Sequence, residues 1–274
     1  MTDSIAFTIF RSLVLVVVFP ILTWSRLPIA ALDMNLFVLI VASAVCEVLA
    51  ILSQIYGLSV GDVSSMSAIL SSSILFYIPL SFLFLGEFYG LHVLLYMLVV
   101  LVGSVLVSVD EKLKPRELLS IHNKQLIAGI LALLFYSLAS ITSKPVLQTV
   151  NPENLTVYRQ IVGTLFLLVM SPLILKGHQR RVLKEGIRQT LPYMIIYVFV
   201  SYISYFFMFS GFAISVSITE TMVAMQGVFT ILLVFILRRI WPSMVHEAHP
   251  QWVYNLRIIG SILIILGIAL LYFT

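Results

Sequence analysis

Charge is scarce in this chain. Asp, Glu, Lys and Arg make up only 10% of its 274 residues, where a soluble globular domain carries about 25%. The mean hydropathy of +1.10 agrees. A soluble domain with a large core is excluded, and the composition is that of a chain crossing a membrane many times. Cysteine is nearly absent: Cys46 stands alone inside an apolar run, so a disulfide framework and a cysteine metal site are both excluded. No glycine-rich phosphate loop occurs, which excludes an internal ATPase. The histidines of HEAHP, His246 and His249, are three apart in a short loop with Pro250 next. A zinc protease pair is four apart on a helix with a third ligand, so no metal is expected. No Ser-His-Asp set is evident, so no enzyme and no cofactor are expected. Residues 12–24 are apolar, but no small-residue cleavage site follows and further apolar spans do, which argues against a cleavable leader.

What is present is a series of apolar runs near the twenty residues that a spanning helix needs. Nine are expected: 5–24, 35–56, 63–86, 90–109, 126–149, 155–175, 190–213, 217–237 and 255–273. They are too long for barrel strands, and in lipid only helices otherwise satisfy their own backbone. The basic excess, 16 Lys and Arg against 12 Asp and Glu, sits in the loops between them. Twelve of the 16 fall on the face that carries the N-terminus and loops 110–125, 176–190 and 238–254. Arg26 and Lys144 fall on the other face, and Arg11 and Arg159 lie within spans. Retention of basic loops predicts that the first face is cytoplasmic and the C-terminus outside. The basic excess is thereby explained without nucleic acid.

The runs repeat. TIFRSLV (8–14) resembles TVYRQIV (156–162), IYGLSVGDVSSMSAIL (55–70) lines up with FSGFAISVSITETMVA (209–224), and LVGSVLV (101–107) resembles ILGIALL (265–271). Matched spans are five apart, an odd number, so they run in opposite directions. An inverted repeat is a common plan of secondary carriers. The fold expected is an all-α membrane protein of nine transmembrane helices in an inverted 4+5 arrangement. Its parts are a first repeat at 1–110, a loop at 111–125 and a second repeat at 126–274.

On these residues the chain resembles the drug/metabolite transporter superfamily, EamA type. The resemblance rests on an arginine opening a helix in each half (Arg11, Arg159) and on the LFLGE ending of the third span (Phe84, Leu85, Gly86, Glu87). It rests also on the SKPVLQTVNPENLTVYR passage, where Lys144 closes a span, and on Gly103 and Gly267 near the end of each half. It implies two five-helix bundles around a central cavity, alternating access, and export or exchange of small metabolites. Nine spans against ten imply that the first family helix is lacking, naturally or by truncation. The family places its C-terminus in the cytoplasm, whereas the loop charges here predict the opposite.

Several side chains then qualify as site residues. Glu47 lies near the middle of its span, where a charge costs a few kcal/mol, so it must be neutral, paired or facing water. Ser43, Glu47, Ala50 and Gln54 form one stripe at i, i+4, i+7 and i+11. Ser71 in the serine-rich span, Tyr202 and Tyr205 at mid-span, and Gln226 complete the set expected to line a cavity. The bland alternatives are a protonated Glu47 bonded to a neighbouring helix, serines serving close helix packing, and tyrosines marking the interface. Glu220, with Lys144 or Arg159 as its partner, is expected to form a gate on the outer side; the alternative is a static interfacial pair. The sequon Asn154-Leu155-Thr156 abuts a span and is expected to be unreachable. The partners expected are a small-molecule solute, the lipid bilayer of the plasma membrane and a proton or other coupling ion, for a monomer or homodimer. Two function classes remain open: a secondary transporter, and a non-transporting or regulatory subunit derived from a truncated carrier. A lipid-acting membrane enzyme would need clustered polar or His and Asp residues at one interface, and none is seen.

Overall fold

The computed structural model describes residues 2–23, 33–60, 66, 69–70, 72–107, 109, 124–174, 179–223, 225, 228–229, 232, 236, 240 and 250–273. Among them nine helices form: α1 (Thr2–Thr23), α2 (Met34–Val60), α3 (Ile74–Leu85), α4 (Leu91–Val107), α5 (Lys124–Leu147), α6 (Pro152–Ile174), α7 (Gln179–Ile214), α8 (Val216–Val223) and α9 (Gln251–Tyr272). The described residues contain no strand. Five stretches are long and apolar enough to cross a membrane: Met34–Val60, Lys124–Leu147, Pro152–Ser171, Ile196–Ile214 and Gln251–Tyr272. Thr8–Thr23, Ile74–Leu85 and Leu91–Val107 are shorter and also apolar. Large apolar side chains such as Val17, Ile21, Leu83, Phe84 and Val169 stand 60% or more exposed. In water such a surface would aggregate; in a bilayer it is the lipid-facing side.

Three expected spans differ in detail. The seventh is longer than its apolar run: α7 begins at Gln179, inside the expected loop 176–190. The sequence QRRVLKE that opens it is made of good helix formers, and polarity alone does not stop a helix. The serine-rich third span is interrupted. Ser72 and Ser73 form a turn, with Ser72 N donating to Ile69 O and Ser73 N to Leu70 O, before α3 starts at Ile74. Serine offers the backbone local alternatives to the helical ladder, which weakens a helix at a serine pair. Of the eighth span, α8 is the continuous described part. Ser71, Gln226, His246 and His249 lie outside the described residues.

Packing divides the chain into two compact units, one of Met1–Tyr56 with Leu134–Val216 and one of Gly57–Leu133 with Ser217–Thr274. Each draws helices from both halves of the sequence. In the first, α1, α6 and α7 enclose Leu15, Phe19, Val157 and Val198. Polar side chains fasten α1 to α6: Gln160 Nε2 and Thr164 Oγ1 both donate to Ser12 O, at 3.3 and 3.2 Å.

In the second unit α4 lies against α9 over Met97, Val100, Val107, Ile264 and Leu271. The two backbones nearly touch. A Cβ on Gly260 would sit 2.6 Å from Gly103 O, and one on Gly103 would sit 2.7 Å from Gly260 O. Gly267 is equally confined, by Val100 and Tyr96 O. Small residues are what permits helices to approach this closely in lipid, where packing replaces the hydrophobic drive. Gly260→Val is therefore expected to cost at least about 1–3 kcal/mol by overpacking, read as a lower melting temperature of the detergent-purified protein. An unchanged melting curve would show that α4 and α9 do not meet at this crossing.

The LFLGE ending also has a backbone cause. Gly86 ends α3 with φ 63°, the left-handed conformation that favours glycine, and its N–H donates to Ser81 O. Tyr89 OH donates to Glu87 just beyond. In the same unit Ser81 and Ser217 join α3 to α8 through a 2.6 Å hydroxyl pair.

Candidate functional site

Glu47 stands near the middle of the 27-residue α2. Its two oxygens have different partners, both from the second half of the sequence. Oε2 accepts from Arg159 Nη2 of α6 at 3.0 Å, and Oε1 accepts from Tyr205 OH of α7 at 2.8 Å. Arg159 is 5% exposed and Glu47 18%, so the pair is largely withdrawn from solvent, where each partner depends on the other.

A second layer holds these groups in place. Arg159 Nη1 donates to Ser143 Oγ of α5 at 3.0 Å. Ser143 and Ser43 are 2.8 Å apart, hydroxyl to hydroxyl, and both reach Ala139 O. Ser43 is thus the clasp between α2 and α5, one turn below Glu47. The Arg159 guanidinium lies over the Phe209 ring at 4.8 Å, and Phe209 stacks on Tyr205 at 5.9 Å. Phe19 packs its edge against both Tyr202 and Tyr205. A delocalised cation between an aromatic face and a carboxylate is oriented by both. Close approach of α6 to α2 comes from Gly163, where a Cβ would meet Val48 at 3.3 Å.

Farther along the stripe Ala50 is fully buried, and Gln54 Oε1 accepts from Tyr136 OH at 2.7 Å. Arg11 of α1 lies over the Tyr197 ring at 5.6 Å. It is near enough to Glu47, Tyr205 and Tyr136 to act on them electrostatically. Among the described residues nothing accepts a hydrogen bond from its buried Nε, nor from Arg159 Nε.

Of the expected site residues, then, Glu47, Ser43, Gln54, Tyr202, Tyr205 and Arg159 belong to this assembly. The ammonium of Lys144 donates to Ile214 O at 3.0 Å. Ile214 closes α7, and a cation suits the negative end of a helix. Arg159 gives its two terminal nitrogens to Ser143 and Glu47. Glu220 is half-buried on α8, in the second unit. Asn154, of the sequon, is 1% exposed in the first turn of α6. Among the described residues no group of three His, Cys, Asp or Glu side chains could hold a metal. Sequence reasoning passed over Ser143, Phe209, Tyr136 and Arg11 as site residues. For Arg11 the signal was available, since a charge inside a span calls for a partner as much as Glu47 does. Ser143 and Phe209 carry no such mark, because their contacts are between distant segments.

A charged pair fixed by phenol, hydroxyl and aromatic contacts thus stands at the middle of α2, in a chain with five helices long and apolar enough to cross a membrane. In sequence, residues 2–109 match the family model described as the EamA-like transporter family. The resemblance drawn from the motifs holds over that segment. The fold has solved relatives. One chain, described only as "Crystal structure of protein", is similar with a TM-score of 0.56 and 12% identity, over 96% of this chain and 97% of that one. At that identity the likeness speaks for the fold alone. No curated protein matches.

Proposed function

We propose that the protein is a secondary carrier that moves a small metabolite by alternating access, through a site centred on Glu47. One observation carries this reading: a buried ion pair at mid-span between a helix of the first half and one of the second, its carboxylate also bonded to a tyrosine of a third helix. A static membrane bundle gains little from such a pair, because apolar packing of equal volume is as stable. A bundle that alternates gains a contact that can be exchanged. Glu47 has two partners, Arg159 and Tyr205, either of which a solute or a proton displaces in this reading. In this reading 1–110 and 126–274 are inverted repeats that rock about the site. The cytoplasmic face of the plasma membrane carries loops 110–125, 176–190 and 238–254.

Reconstitution into proteoliposomes tests it. Glu47→Gln removes the exchangeable charge while keeping the volume. The variant is expected to lose uptake driven by a proton gradient and to keep solute exchange, measured with a panel of labelled amino acids, sugars and organic ions. Undiminished gradient-driven uptake would move the coupling away from Glu47. A wild type that moves nothing in the panel would favour a non-transporting subunit.

A further inference from the structure

The first unit holds more positive than negative charge at the site. Arg11 and Arg159 occupy matching places in the two repeated segments, TIFRSLV and TVYRQIV. Carrying the alignment of 55–70 with 209–224 back by the same offset sets Glu47 opposite Ser201, so the arginine is duplicated and the carboxylate is not. Both arginines are charged at any relevant pH, so the sum is positive whether or not Glu47 carries its proton. Arg159 is matched by Glu47 at 3.0 Å. Arg11 has the face of Tyr197 at 5.6 Å. Its buried Nε has no acceptor among the described residues, and neither has Arg159 Nε. A ring face offsets only part of a guanidinium's charge, and a surplus cation inside a span costs a few kcal/mol by insertion scales. An anion arriving beside Arg11 would remove that cost and satisfy the idle donor.

We propose that Arg11 is the recognition group for the negatively charged head of a small organic anion, and that such anions are the substrate class. The proposal rests on the carrier reading above. The guanidinium fork accepts a carboxylate or a phosphate in two parallel hydrogen bonds. The Tyr197 ring lies against the guanidinium at 5.6 Å, and the Tyr205 OH, which donates to Glu47 Oε1, is a donor that the incoming head takes over when it displaces Glu47. Glu47 then competes with the solute for the positive charge, which makes binding reversible rather than permanent.

Detergent-purified full-length protein would be titrated with benzoate, pyruvate and inorganic phosphate, and with choline and tetraethylammonium as cationic controls, by thermal shift and calorimetry. At least one anion and neither cation is expected to stabilise the wild type. Arg11→Gln is expected to weaken that anion about 10- to 100-fold. Arg11→Lys, which keeps the charge but not the fork, is expected to restore part of it and serves as the check that loss is not misfolding. Glu47→Gln is expected to bind the anion as well as or better than the wild type, an outcome that a merely structural site would not give. Stabilisation by the cations, equal anion binding in Arg11→Gln, or no response to any of the three anions would overturn the proposal. The two readings fail separately: anion binding without transport sinks the carrier and keeps the anion site, whereas cation transport untouched by Arg11→Gln sinks the anion site and keeps the carrier.

Discussion

Glu47→Ala is expected to destabilise the protein by about 3–5 kcal/mol, the usual penalty for removing one partner of a buried ion pair. Arg159 is 5% exposed and has no other carboxylate among its described contacts. It keeps its charge in every condition the protein survives. Without Glu47 its Nη2 and the Tyr205 hydroxyl both lose their acceptor. The measurement is equilibrium unfolding in detergent or bicelles. A loss below about 1 kcal/mol, the range of exposed pairs, would mean that water reaches Arg159 freely and that the pair is no buried contact.

The second large effect is a contrast between stability and transport. Glu47→Leu with Arg159→Met removes both charges and leaves apolar volume behind. Such replacements are often neutral or stabilising, so the double variant is expected to recover most of the stability that either single change loses. The non-additivity in a double-mutant cycle is expected at about 0.5–3 kcal/mol. Transport is expected to stay lost, because nothing exchangeable remains. Recovery of both properties would show that the pair is only structural. Recovery of neither would mean that Ser143 and Phe209, which hold Arg159 from behind, do not tolerate a methionine in the place of the guanidinium.

Much of the architecture was legible in the residue order. Apolar runs of about twenty residues mark spanning helices because backbone satisfaction in lipid leaves no alternative, and α2, α4, α5, α6 and α9 lie where those runs do. The boundaries were less legible. α7 extends back to Gln179 because helix propensity, not hydropathy, governs a helix outside the bilayer. The turn at Ser72–Ser73 divides a serine-rich run, and a hydropathy pattern cannot register a change in local hydrogen bonding.

The site divides in the same manner. Glu47 stood out from sequence because one charge amid apolar neighbours is conspicuous at any reading, and its helical stripe named Ser43 and Gln54 with it. Its partner did not follow. In expectation Arg159 stood with Lys144 as an alternative partner for Glu220, on the argument that all three lie toward the outer face. The structure gives it to Glu47, 112 positions away. Residue order determined what must be buried in lipid and which charges need an answer there, since those costs depend on one residue and its near neighbours. Which charge answers which was decided by the tertiary structure alone. The encounter of α2 with α5, α6 and α7 depends on side chains such as Gly163, Ser143 and Phe209, whose part in it exists only once the helices are packed.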